Sequence, residues 1–111
     1  MELVQEIYRL TKTFPKREWY GVTAQMRRAA ISIPANIAEG RGRFTSGEFV
    51  RFLRIAMGSL RELETYSELS LRLQYATIDQ IQVLTSRTDE VGSMLAGLMK
   101  SLQRKSTSPR E

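Results

Sequence analysis

Hydrophobic positions along this chain recur at helical spacing, and no stretch alternates with the period of two that a strand requires. Leu3, Ile7, Leu10 and Phe14 follow the 4-3-4 spacing of a bundle seam and predict a helix over roughly residues 2–13. Pro15 and the segment KREWYG form the connection. Val22, Met26, Ala29, Ala30, Ile33 and Ile37 share one face of a second helix, from about Val22 to about Gly40. Pro34 lies inside it and has no N–H for the carbonyl of Ala30. The periodicity continues past it, so a kink is expected, not a break. Gly40, Gly42 and the intervening arginines end this helix. Thr45 opens TSGE, a capping box with Glu48, and a third helix should run from about Ser46 to about Gln74. Thr77 opens TIDQ, a second such box, before a fourth helix from about Ile78 to about Gln103. The seam of that helix is Ile81, Leu84, Thr88, Val91, Leu95, Leu98 and Leu102. The end KSTSPRE has no apolar residue, and residues 105–111 are expected to be a disordered tail. Short connections favour antiparallel neighbours. The expected fold is therefore all-α, an up-down-up-down four-helix bundle of residues 1–104, kinked at Pro34.

Two helices carry more patterned surface than one seam needs. On the third, Phe49, Leu53, Ala56, Leu60 and Leu63 form the core stripe. A second stripe holds Ile55, Ser59, Tyr66, Leu69 and Leu73, with Glu48 and Glu62 beside it. It reads either as a wide core face or as a subunit interface, because large exposed apolar patches are uncommon on monomers. On the second helix, Ala24, Ile31, Ala35 and Ala38 lie opposite the core. Small residues permit close approach and also simply favour helix, but Ile31 gains little by facing water. A polar line of Gln25, Arg28, Ser32 and Glu39, with Asn36 nearby, runs between these faces. It is either a hydrogen-bonded network that fixes register across an interface with a defined partner, and must then be fully satisfied, or a solvated border. The expected subunit interface comprises Ile31, Ser32, Ala35, Glu39, Ile55, Ser59, Glu62 and Tyr66.

Composition then removes most chemistry. The 111 residues include no Cys and no His. A disulfide framework, a thiol nucleophile, a Ser-His-Asp triad and the usual zinc ligands are thereby excluded. Glu62 and Glu64 point roughly 160° apart on a helix of 100° per residue. Glu64 and Glu68 have Arg61 and Arg72 at pairing distance. GRGRF lacks the Lys-Ser/Thr of a phosphate-binding loop. No enzyme, no cofactor and no metal are expected. No apolar run approaches the ~20 residues that span a bilayer, and MELVQEIYRL lacks a signal-peptide pattern. A cytoplasmic protein without a membrane partner is the expectation.

Charge keeps one class of partner open. Net charge is +5 and the sequence pI about 10.0, which favours polyanions or merely solubility. Residues 1–43 hold eight Lys/Arg against four Asp/Glu. Arg27 and Arg28 lie on the second helix, and Arg41 and Arg43 in a turn with no acid next to them in sequence. Arg51, Arg54, Arg61 and Arg72 share one side of the third helix, where intrahelical salt bridges are the competing reading. The candidate phosphate-binding set is Arg27, Arg28, Arg41, Arg43, Arg51 and Arg54. No RNA-stacking aromatic motif accompanies it.

The segments QMRRAAISIPANIAEGRGR and EFVRFLRIAMGSLRELET, preceded by EIYRLTKTFPKREWYGVT, resemble the four-helix-bundle family of rRNA intervening-sequence proteins. The resemblance covers roughly residues 3–76, and its Ser-Ile-Pro-x-Asn-Ile-Ala-Glu-Gly core is specific; the fourth helix is generic. It implies a bacterial bundle assembling into a ring-like homopentamer. Members are encoded within intervening sequences of large-subunit rRNA genes in some bacteria and elsewhere in many genomes, a location that is not evidence of rRNA binding. The family also resembles accessory proteins of diversity-generating retroelements, basic pentamers that engage nucleic acid and a reverse transcriptase. The matching signature is Gln25, Arg28, Ser32, Pro34, Asn36, Glu39, Gly40, Glu48 and Phe49, with no catalytic role attached. Two expectations follow. One is an oligomeric, nucleic-acid-associated bundle that holds RNA or DNA phosphates through its arginines. The alternative is an oligomeric scaffold for another protein, with no direct nucleic-acid role. Arginines gathered on one outer surface favour the first; burial of Arg28 and Glu39 between subunits favours the second.

Overall fold

The computed structural model describes residues 1–106 and has four α-helices: α1 (Glu2–Thr11), α2 (Val22–Arg41), α3 (Ser46–Arg72) and α4 (Ile78–Ser106). A 3-10 turn, Lys16–Glu18, joins the first two. α2 packs most extensively on α3, and α3 on α4; α1 touches α2 and α4. The diagonal pairs do not meet, so the helices form a closed square in chain order. Named contacts fix the antiparallel directions: on α2 and α3 Ser32 meets Ser59 and Arg28 meets Glu62, and on α1 and α4 Glu2 meets Arg87 while Leu10 lines a cleft with Gln80 and Leu84. The expected all-α four-helix bundle is the fold. Extents of 54 × 24 × 18 Å reflect the long helices, since 29 residues at 1.5 Å each span about 43 Å. α1, with 10 residues, flanks only part of that length.

The core follows the periodic seams. Ile7, Met26, Ala29, Ala30, Ile33, Leu53, Ala56, Leu60, Leu63 and Leu95 are fully buried, and burying each Leu or Ile contributes about 1.5–3 kcal/mol. α1 stops two residues earlier than its periodicity predicts. The Thr11 hydroxyl donates to the Ile7 carbonyl at 2.7 Å, and Pro15 disfavours helical backbone at Phe14, which is buried outside the helix. α2 continues unbroken through Pro34 to Arg41. The packed faces on both sides of Pro34 hold the helix despite the missing bond to Ala30.

Both expected N-cap threonines open their helices, Thr45 with only half of its box because the Glu48 side chain accepts from Arg51 instead. Thr45 Oγ1 accepts from the Glu48 N–H at 3.1 Å. At Thr77 the box is reciprocal: the Gln80 side chain accepts from the Thr77 N–H at 2.9 Å, and Thr77 Oγ1 accepts from the Gln80 N–H at 3.2 Å. α3 ends at Arg72, short of the expected Gln74. Gln74 adopts φ 62°, the left-handed conformation that terminates helices, and the N–H groups of Tyr75 and Ala76 turn back to the Ser70 carbonyl. Lys105 and Ser106, expected in the tail, are the last residues of α4; the rest of that expected tail, 107–111, lies outside the described residues.

Candidate nucleic-acid and assembly surfaces

The α2–α3 tip is shaped by a close approach. Gly40 is buried, and a Cβ there would stand 2.7 Å from Phe49 Cδ1 and 3.0 Å from Phe52 Cβ. Hydrogen in place of a side chain lets the start of α3 fold against the end of α2. The turn that follows is thrown outward. Arg41 and Arg43 are exposed, and Phe44 is fully exposed at 105%. The guanidinium groups of Arg43 and Arg51 lie 4.8 Å and 4.5 Å from the centroid of one ring, that of Phe52. Such cation–π contacts contribute about 0.5–1 kcal/mol each at exposed sites. Their mutual repulsion is eased by two carboxylates, Glu39 at 3.7 Å from Arg43 and Glu48 at 2.9 Å from Arg51.

This corrects the expectation that Arg43 has no acid beside it. Glu39 is four residues back in sequence, and the helical rise brings it alongside. Arg41 and Arg54 remain exposed and have no carboxylate partner among the described residues.

The six arginines singled out from the sequence do not form one surface. Arg41, Arg43, Arg51 and Arg54 gather at the tip. Arg28 lies in the first half of α2, away from the tip, where it donates to Glu62 at 2.9 Å and to Gln25 at 3.0 Å. This pair bridges α2 and α3 within the chain. With about half of each side chain exposed, it is worth at most ~1 kcal/mol. Arg27 is near the far end of α2 and is held inward. Its Nε–H donates to Thr11 Oγ1 at 2.9 Å, and its guanidinium lies 4.4 Å over Tyr8 and 5.1 Å over Trp19.

The expected assembly residues lie along one side of the α2–α3 pair, in two roles. Ser32, Ser59 and Asn36 form a cluster within the chain: Ser59 Oγ donates to Ser32 Oγ at 2.8 Å, and Asn36 Nδ2 donates to the Ser32 carbonyl and hydroxyl. Ser59 is buried. The polar line thus locks the register of its own hairpin, with no buried side-chain polar atom unsatisfied among the described residues. Tyr66 is half-buried against the core. Outside this cluster, Ile31 and Ile55 are 45% and 42% exposed. Ala35, Glu39 and Glu62 are exposed too, and Leu69 and Leu73 continue the apolar strip.

Three features escaped the pattern of the sequence. Phe44 reads as an ordinary apolar residue beside a helix cap. Phe52 gives no sign of gathering two arginines until the hairpin closes. Trp19 and Tyr20 sit in a connection without periodicity, although two adjacent aromatics among basic residues were a signal available to composition. Among the described residues no group of three or more acidic side chains could hold a metal ion, and no helix is long and apolar enough to cross a membrane.

The model for the family described as 23S rRNA-intervening sequence protein matches residues 1–97, and the chain belongs to that family. A solved structure from Bacteroides thetaiotaomicron, of a protein with unknown function from the S23 ribosomal protein family, is similar in fold. It has 27% sequence identity and a TM-score of 0.82 over 89% of this chain and 93% of that one. No curated protein matches the chain.

Proposed function

We infer that this protein is a non-enzymatic bundle that works as a homo-oligomer and holds the phosphate backbone of RNA or DNA with its α2–α3 tip. One observation carries this reading: Arg43 and Arg51 meet over Phe52 where α2 turns into α3, and nearby in sequence Arg41 and Arg54 are exposed with no carboxylate partner among the described residues. Uncompensated guanidinium groups at a projecting end bind phosphate and release its counterions. A single tip is weak. Repeating it around an assembly multiplies weak contacts into useful avidity. The flank of Ile31, Ile55 and Leu69 supplies the assembly surface, and the family resemblance supplies the number five.

Labelled RNA and DNA should bind the purified protein with little sequence preference, and tightness should fall steeply with salt. Arg41→Ala with Arg54→Ala should weaken every sequence alike and flatten the logarithmic salt slope by about one unit per lost contact. Light scattering should give several times the chain mass of 12.7 kDa. A monomer at tens of micromolar would remove the assembly half of the reading. Absence of binding by the unaltered protein at low salt would favour the protein-scaffold reading, for which the same exposed flank speaks.

A further inference from the structure

At the opposite end of α2 from the tip lies a pocket of about 640 Å³, within the range of small-ligand sites. Its walls include Lys12, Pro15, Lys16, Trp19, Tyr20 and Arg27, and no carboxylate lines it. Its aromatic groups are unusually open: Trp19 keeps 54% of its surface exposed and Tyr20 90%. Its lysines are unspent, since neither has a carboxylate partner among the described residues. The nearby acid, Glu18, is engaged elsewhere: it accepts from the Tyr75 hydroxyl at 2.7 Å and the Val22 N–H at 3.3 Å. The indole is also held in place. Arg27 stands over it and over Tyr8, and is itself anchored to Thr11, whose hydroxyl is tied to the Ile7 carbonyl.

Exposed aromatic rings beside unpaired cations suit a ligand that is flat and aromatic at one end and anionic at the other. We propose that this pocket is a nucleotide site, in which one unstacked base lies on Trp19 and Tyr20 while Lys12 and Lys16 meet its phosphate. Arg27 is a positioning residue that fixes the indole. Stacking on aromatic side chains tolerates any base, because every base offers a π-face. The nucleotide is either free or an unpaired residue of a strand. The site stands apart from the tip, and neither depends on the other.

Trp19 is the sole tryptophan of the chain, so its fluorescence reports on this pocket alone. The full-length protein is titrated at low salt with adenosine 5′-monophosphate, ribose 5-phosphate, a ten-nucleotide single-stranded RNA and a blunt RNA duplex. Quenching by the mononucleotide and the single strand is expected, weaker quenching by the duplex, and none by ribose 5-phosphate. Saturation by the mononucleotide as readily as by the strand identifies a free nucleotide as ligand; at least ten-fold tighter quenching by the strand identifies an unpaired residue of nucleic acid. Lys12→Ala with Lys16→Ala, both exposed positions, should weaken quenching about ten-fold with helicity unchanged. Arg41→Ala with Arg54→Ala should leave quenching by the mononucleotide as it was, which separates failure here from failure of the tip. The proposal is overturned by unchanged fluorescence with every ligand, by quenching by the duplex equal to that by the strand, or by unchanged affinity in the double-lysine variant.

Discussion

The two ends of α2 both carry clustered positive charge, yet they are built on different physics. At the Arg41 end the organising contact is steric: Gly40 admits Phe49 and Phe52, and the arginines that ring Phe52 are half neutralised by Glu39 and Glu48. At the Val22 end the organising contacts are polar and aromatic. Arg27 bridges Thr11, Tyr8 and Trp19, and Glu18 joins the α2 N-terminus to Tyr75. A count of basic residues would rank the two ends alike. The placement of counter-charges decides which cations are available, and by that measure Lys12, Lys16, Arg41 and Arg54 are available and Arg28 is not.

The largest expected effect tests the steric end. Gly40→Ala adds a methyl group where Phe49 and Phe52 leave no room, both neighbours belonging to a packed helix start. Overpacking costs about 1–3 kcal/mol, against which alanine returns up to ~1 kcal/mol of helix propensity. A net loss of about 1–2 kcal/mol should appear as a lower urea midpoint. Gly42→Ala is the control: its nearest neighbour would be the Glu39 carbonyl at an ordinary 3.5 Å, and its backbone is already right-handed helical. If both variants were equally stable, the close approach at Gly40 would have no part in shaping the tip.

A smaller effect separates the roles of two arginines. Arg27→Ala removes a hydrogen bond and contacts to two rings from a half-buried position, costing about 1–2 kcal/mol in thermal or urea unfolding. Arg43→Ala removes an exposed pair at 3.7 Å and one ring contact, and should cost under about 1 kcal/mol. The reverse order would mean that the tip, and not the α1–α2 connection, is where arginine acts structurally.

The legibility of the molecule divides along the same line. Helix positions were readable because Leu53, Ala56, Leu60 and Leu63 repeat at 100° and because Thr45 and Thr77 carry their caps in sequence. The end of α3 was not, since Gln74 takes a left-handed conformation that sequence assigns to glycine or asparagine. The polar line on α2 was visible as a pattern, but its partner was not: Ser32 meets Ser59 twenty-seven residues away in the same chain. The six arginines were named together as candidate phosphate contacts, and the fold spreads them between the α2–α3 turn and the first half of α2, where Arg27 and Arg28 meet different partners. Helical spacing gives angles about one axis and says nothing of which residues from a distant turn or helix come to meet them.

The smallest effect lies at the polar end and depends on pH. The Tyr75 hydroxyl, then the Val22 N–H, and more weakly Arg17, hold the Glu18 carboxyl below its ordinary range despite some opposing burial. The same hydrogen bond to Glu18 holds the Tyr75 phenol above its ordinary value. A carboxylate with a depressed folded value adds stability above its unfolded pKa, about 4.3 for Glu, and this is lost as pH falls through the folded value. A phenol with a raised folded value adds stability below about 10, and this is lost as pH rises through the folded value. Tyr75→Phe keeps the ring packed against Phe14, 5.6 Å between centroids, and removes only the hydroxyl. Its urea midpoint should lie below that of the unaltered protein near neutral pH, and the gap should narrow both below pH 4 and above pH 10. Curves that stay parallel from acid to alkali would show that the Glu18–Tyr75 bond does not tie α2 to the α3–α4 turn in solution.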